Sequence, residues 1–348
     1  MTEFFPARKS TWRSQNDAVS MVLDRKILAV TLILLGLCCV VALLTLSTGR
    51  MAFSPLQVLD VLTGGGPTRA RLVILEWRLP RAAAALVIGA LLGLGGAVFQ
   101  SISRNPLGSP DIVGFDAGAF TGALIAISCG MAGWIGLALS SVAGGLLAGA
   151  AVYVLAWRRG VSGFQLIVIG IALGAMLTAL NQWMLLRLPL GQAVAAGAWA
   201  MGSLARVTAE QAIAATFAAA PLMIVAFILS RRMRITEMGD ERAQSLGIRV
   251  ELLRLALAIV AILVTAVSVS IAGPIPFIAL AAPQIARAMT RSAGTTLSAS
   301  AATGAFLLIS ADFLAQRIIA PEQIPVGLAT LSLGGGYFLW LLLKEARR

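Results

Sequence analysis

Long charge-free apolar runs alternate with short polar connections along almost the whole chain. Many of these runs approach the ~20 residues that an α-helix needs to cross about 30 Å of hydrocarbon. Within each run the apolar positions are continuous rather than alternating, which predicts helices and excludes a transmembrane barrel. The pattern predicts ten spans, at about 27–46, 82–102, 115–130, 134–156, 163–186, 210–229, 252–272, 275–290, 297–316 and 325–343. The eighth carries Pro274, Pro276 and Pro283, and is expected to cross only in part. The fold class is therefore an all-α polytopic membrane protein, in keeping with 59% hydrophobic residues and a mean hydropathy of +0.91.

One polar interruption is out of proportion to a turn. Arg231–Arg254, RRMRITEMGDERAQSLGIRVELLR, holds six arginines and four acids in a chain that is only 12% charged. Two or three residues would suffice to join two spans, so this segment is expected to touch something in the aqueous phase. Residues 1–26 form a second polar stretch, with Arg8, Lys9, Arg13, Arg25 and Lys26. No small-residue cleavage site follows the first span, which reads as a retained helix rather than a signal peptide. An even number of spans puts both termini on one side, and the positive-inside rule makes that side the cytoplasm, because it then collects most of the 27 basic residues. The expected organisation is a cytoplasmic tail over 1–26 and one transmembrane domain over 27–348, N-in and C-in, with a cytoplasmic segment at 231–254. The net charge of +12 is accounted for by these basic loops, and nucleic acid is not an expected partner.

Absences narrow the chemistry. The chain has no histidine, and its lysines are Lys9, Lys26 and Lys344, so it carries no Walker-type phosphate loop and no histidine-based metal site. Cys38, Cys39 and Cys129 lie in apolar runs without metal-ligand spacing. Among intramembrane ionisable groups Asp312 stands out, with Asn181 and Gln182 as notable amides, and no carboxylate relay of an ion-coupled carrier is read. No catalytic residue, cofactor or metal is assigned to this chain; ATP and Mg are expected on separate subunits.

Glycines recur at helix-packing intervals: Gly89, Gly93 and Gly96, then Gly114, Gly118 and Gly122, then Gly170 and Gly174. Two helix-breaking stretches, RNPLGSPDIVG (104–114) and AGPIPFIALAAPQIAR (272–287), follow the second and seventh spans, which run in opposite directions. That arrangement suggests an inverted internal repeat relating helices 2–5 to helices 7–10. On the outer side Arg69, Arg71, Arg78 and Arg81 cluster against the orientation bias, as lipid-phosphate anchors or as a docking patch for an acidic partner.

Five ordered motifs carry a resemblance: residues 78–119 from RLPR to DAGA, WAMGSL (199–204), GDERAQSLGI (239–248), GPIPFIALAAPQIAR (273–287) and PVGLATLSLGGGYFLWLL (325–342). Over residues from about 50 to the C-terminus the chain resembles the FecCD family of bacterial importer permeases, which includes vitamin B12 and ferric-siderophore permeases. The resemblance implies a ten-helix permease of a type II importer in the bacterial inner membrane. Its implied partners are a second permease, two cytoplasmic ATPase subunits and an extracytoplasmic binding protein. It assigns Gly239, Asp240, Glu241, Ala243, Leu246 and Gly247 to coupling with the ATPase, and Arg78, Arg81 and, by proximity, Arg317 to binding-protein docking. Gln284 stands where many members have histidine. That form, with Arg291-Ser292-Ala293-Gly294 following, is similar to ferric-enterobactin-type permeases and implies a heterodimer. The expected cargo is an iron(III)–siderophore complex, with cobalamin or haem uptake as the alternative and an ion-coupled carrier as a further one. Pathway residues are not assigned.

Overall fold

The computed structural model describes residues 9–13, 20–131, 133–156, 163–320 and 322–346. Two short strands, β1 (Lys9–Arg13) and β2 (Ser20–Asp24), pair antiparallel with Lys9 opposite Asp24, so the polar tail contains a ribbon that hydropathy did not suggest. Asp24 then caps α1 (Arg25–Ser47), its carboxylate accepting from the Lys26 N–H at 3.0 Å. The short α2 (Pro55–Leu62) opens on a capping box between Ser54 and Gln57, with proline in its first turn.

The next rod spans Thr68–Ser103 without interruption. It comprises α3 (Thr68–Arg71), a π-helical turn over Leu72–Arg78 and α4 (Leu79–Ser103). After it come α5 (Phe115–Ser128), α6 (Trp134–Ala156), α7 (Gly163–Arg187), α8 (Leu190–Ala200) and α9 (Ala209–Thr236). The chain closes with α10 (Asp240–Ser245), α11 (Val250–Ala272), α12 (Ile278–Thr290), α13 (Leu297–Ala315) and α14 (Val326–Ala346). A helix stands at each of the ten expected spans. Seven helices among the described residues are long and apolar enough to cross a membrane, so this is a multi-pass membrane protein. α5 and α12 are too short to span alone. α8 lay outside the ten.

α4 is the axis of the bundle. In the rod that contains it 78% of the most apolar stretch is buried, against 17% in α1 and α7, whose sides this chain leaves largely uncovered. Small residues allow this depth. A Cβ on Gly89 or Gly93 would overlap the α13 backbone at Gly304 and Ser300, and one on Gly96 would overlap the Ala279 carbonyl of α12. α5 and α6 approach in the same manner at Gly118, Gly122 and Gly144.

The helix breaks meet rather than standing apart. Asp111, in the first break, accepts through Oδ2 from the Phe277 N–H of the second at 3.3 Å, and Gln284 Nε2 donates to the Pro106 carbonyl. Gln100 of α4 donates to the Leu280 carbonyl at 3.1 Å. A second junction joins three of the sequence motifs: Ser203 N–H donates to the Ala272 carbonyl and Gly327 N–H to the Gly202 carbonyl, with Gly202 and Gly273 both at positive φ. Asp312 is also less singular than expected, because Asp116 at the start of α5 is buried as well. Asn181 is buried against α5, accepting from Thr121 Oγ1 at 2.7 Å and donating to the Ala117 carbonyl at 3.0 Å.

Candidate functional site

The charged interruption resolves into helix ends and a small projecting helix. α9 continues through Arg231, Arg232 and Arg234 to Thr236, and α11 begins at Val250, so Arg254 already lies on its second turn. Between them α10 starts after Gly239 (φ +120°) and stops at Gly247 (φ +78°). The stop is a Schellman cap: Ile248 N–H donates to the Ala243 carbonyl at 3.0 Å and Gly247 N–H to the Gln244 carbonyl at 2.9 Å. Glycine is the residue that takes the left-handed position without strain, and no other atom stands near a Cβ placed there.

The six residues expected to couple divide by orientation. Leu246 is 64% exposed, and Glu241 and Gly247 also face outward. Ala243 is fully buried and packs under α10. Gly239 is half-buried, and Asp240 is held from behind. Arg104, the left-handed residue that ends α4, reaches Asp240 Oδ1 at 2.5 Å and the Thr236 carbonyl at 2.7 Å. Arg254 approaches Asp240 Oδ2 at 3.2 Å. The neighbouring Glu237 accepts from Ser101 Oγ of α4 at 2.8 Å, and from Thr295 before α13, through its N–H at 3.3 Å and its Oγ1 at 2.5 Å. Met238, half exposed beside the tip, adds apolar surface that the motif did not single out. This end of the fold thus presents a small apolar tip, Met238 and Leu246, on a polar base tied to α4, α11 and the start of α13.

At the opposite end the three arginines expected to dock a partner are engaged within the fold. Arg81 meets Asp312 through Nε (3.1 and 3.0 Å) and Nη2 (2.8 Å), its side chain 11% exposed and that of Asp312 1%. Gln316 donates to the same carboxylate at 2.7 Å, and Arg81 Nη1 donates to Gln323 Oε1 at 2.6 Å. Arg78 donates to the carbonyls of Leu46 and Met51, both at 2.6 Å, and lies over the Phe53 ring. Arg317 donates to Thr48 Oγ1 and to the Phe313 carbonyl (2.8 Å), stacked on the Phe313 ring. Burial pushes its guanidinium below the ordinary value, and Asp312 opposes that shift. Sequence spacing could not show these partners; Asp312 is 231 positions from Arg81. Arg69 and Arg71 remain exposed on α3. Among the described residues no group of three or more histidines, cysteines and acids is placed to hold a metal ion.

Comparison with known proteins sets these surfaces in context. Residues 37–344 match the FecCD transport family. The ferric enterobactin transport system permease protein FepG of Escherichia coli is 44% identical over 329 residues, covering 93% of this chain and 98% of FepG. The iron(3+)-hydroxamate import system permease protein FhuG of Bacillus subtilis is 35% identical over 327 residues, covering 91% and 96% respectively. Among solved structures, a chain of a metal-chelate type ABC transporter in an inward-facing conformation superposes with a TM-score of 0.80 at 27% identity, covering 91% of this chain and 99% of its own.

Proposed function

The chain belongs to the FecCD transport family, and on that premise we propose that it is the permease subunit of an ATP-driven importer of iron(III)–siderophore complexes in the bacterial cytoplasmic membrane. The cargo class follows from the relatives, one named for ferric enterobactin and one for iron(3+)-hydroxamate. The proposed assembly pairs this chain with a second, non-identical permease, two cytoplasmic ATPase subunits carrying ATP and Mg, and an extracytoplasmic binding protein. The ten expected spans form ten passes or part-passes, N-in and C-in, with an inverted repeat relating the second to fifth spans to the seventh to tenth. Arg104, Arg231, Arg232, Arg234, Arg242, Arg249 and Arg254 gather at the α10 end, which supports its assignment to the cytoplasm.

The observation that carries the reading is the α10 tip. An exposed leucine at the C-terminal end of a six-residue helix, closed by a glycine cap and backed by ion pairs, is a knob suited to a hydrophobic groove with a polar rim. Closure of the ATPases on ATP moves the knob, and alternating access follows as the helices repack. Outside, Arg78 and Arg317 sit near the surface as the proposed contacts for acidic groups of the binding protein, with Arg81 behind them on Asp312. The test is reconstitution in liposomes with the ATPases, second permease and binding protein. ATP-dependent accumulation of a ferric siderophore is expected, and accumulation by this chain without any ATPase would overturn the proposal.

A further inference from the structure

The coupling surface is small, and α10 is joined by backbone only to α9 and α11. A push on such a tip bends the turns at Gly239 and Gly247 unless side chains carry it inward. Two carboxylates next to the tip supply that connection, and they reach different helices. Glu237 takes hydrogen bonds from Ser101 on α4 and from Thr295 at the entrance to α13. Asp240 takes them from Arg104 at the end of α4 and Arg254 on α11. Arg104 fastens α4 a third time, through the Thr236 carbonyl.

The elements so gripped form the buried interior of the molecule, where α4 packs against α13 and α11 with no slack at Gly89, Gly93 and Gly95. Close-packed helices shift as bodies rather than deforming locally, so displacing the end of α4 displaces its whole contact with α13. The surroundings are shaped for Glu237 in particular. A Cβ on Gly294 would lie 2.9 Å from its Oε2, so the loop entering α13 leaves room for the carboxylate. Glu237 itself falls outside the GDERAQSLGI motif.

We infer that Glu237, seconded by Asp240, is the positioning residue that transmits movement of the α10 tip into α4 and α13. The inference rests on α10 being the ATPase contact. Glu237 touches neither cargo nor nucleotide; it acts through Ser101 and Thr295.

The experiment uses the assembled transporter in liposomes and measures, for each variant, retention of the ATPase subunits, ATP hydrolysis and ferric siderophore moved per ATP consumed. Glu237→Ala is expected to retain the ATPases and to hydrolyse ATP near the wild-type rate, while cargo moved per ATP falls about tenfold. Glu237→Gln, which keeps an acceptor oxygen, is expected to recover a large part of that loss. The pair Ser101→Ala with Thr295→Val removes the two hydroxyl bonds from the other side and leaves the Thr295 N–H in place. It should reproduce the loss, and adding Glu237→Ala to it should cost little more. Leu246→Asp, at the tip, is expected to lose the ATPases instead. Unchanged cargo per ATP in Glu237→Ala, or in the Ser101–Thr295 pair should the first variant not fold, overturns the inference. So does loss of ATPase retention in step with transport. Failure of the unaltered chain to retain any ATPase would instead sink the importer reading.

Discussion

At the α10 end, Arg104 and Arg254 converge on Asp240, whose side chain is still 37% exposed, and Leu246 stands free beyond them. At the other end Arg81 closes on Asp312, which is all but sealed from solvent, with Gln316 donating to Asp312 and Gln323 accepting from Arg81. Both are arginine–aspartate contacts between distant helices, yet they do different work. The Arg104–Asp240 pair, its side chains 42% and 37% exposed, contributes at most about 1 kcal/mol and can be broken and remade at little cost. A buried pair gives no large net stability, but losing one partner strands a charge at about 3–5 kcal/mol. The α10 end is therefore joined by contacts that tolerate rearrangement, and the opposite end by one that does not. A transporter needs both, a fixed end to act against and an end that yields.

That contrast can be broken most directly at Asp312. Asp312→Ala or Arg81→Ala should lower unfolding stability by about 3–5 kcal/mol, read as a fall in the thermal midpoint of the purified permease in detergent. Replacing both, as Arg81→Met with Asp312→Leu, should recover most of it. An unchanged midpoint in the single variants would remove the distinction between the two ends. Arg78→Ala comes next: it leaves the Leu46 and Met51 carbonyls without their donor and should cost about 1–3 kcal/mol. Arg78→Glu should in addition weaken binding-protein affinity in a salt-sensitive way, and unchanged affinity would leave Arg78 a purely internal brace.

Smaller effects are expected at the yielding end. Gly247→Val forces a β-branched residue into a left-handed position and should cost about 1–3 kcal/mol of local stability; hydrogen exchange of α10 should accelerate while α4 stays protected, with ATPase stimulation uncoupled from uptake. Arg104→Ala should change the unfolding midpoint least, by about 1 kcal/mol or less, and raising salt towards about 1 M should mimic it. A large loss of stability from Arg104→Ala would show that the α10 end is as rigidly tied as the other.

Hydropathy located a helix at every expected span because a lipid-length apolar run is a local signal that needs no partner to be read. The glycine intervals were equally legible: Gly118 and Gly122 meet Gly144, and Gly170 and Gly174 abut Val113 and Gly114. α8 was not, since eleven residues between two turns fall well short of a span. The intramolecular partners of the docking arginines were not legible, for a physical reason. A guanidinium at a helix end looks free in sequence, while its carboxylate or carbonyl partner lies on another helix. Ala243 shows the same limit from inside the coupling motif, where family membership marks the segment but not which of its faces turns inward.

The π turn at Leu72–Arg78 has a consequence for how chain length can vary. Its wider ring, closed by Leu79 N–H on the Ile74 carbonyl, lets the rod hold one more residue than an α-helix would over the same path. Each residue turns a helix by about 100°, so the extra one sets the angular phase of α3 and its exposed Arg69 and Arg71 relative to α4. Deleting one residue there would relax the turn and swing α3 around the rod, leaving Arg81 on Asp312. The turn acts as an indexing joint, and the face that carries Arg69 and Arg71 can be re-aimed by a single-codon change without redesigning the core.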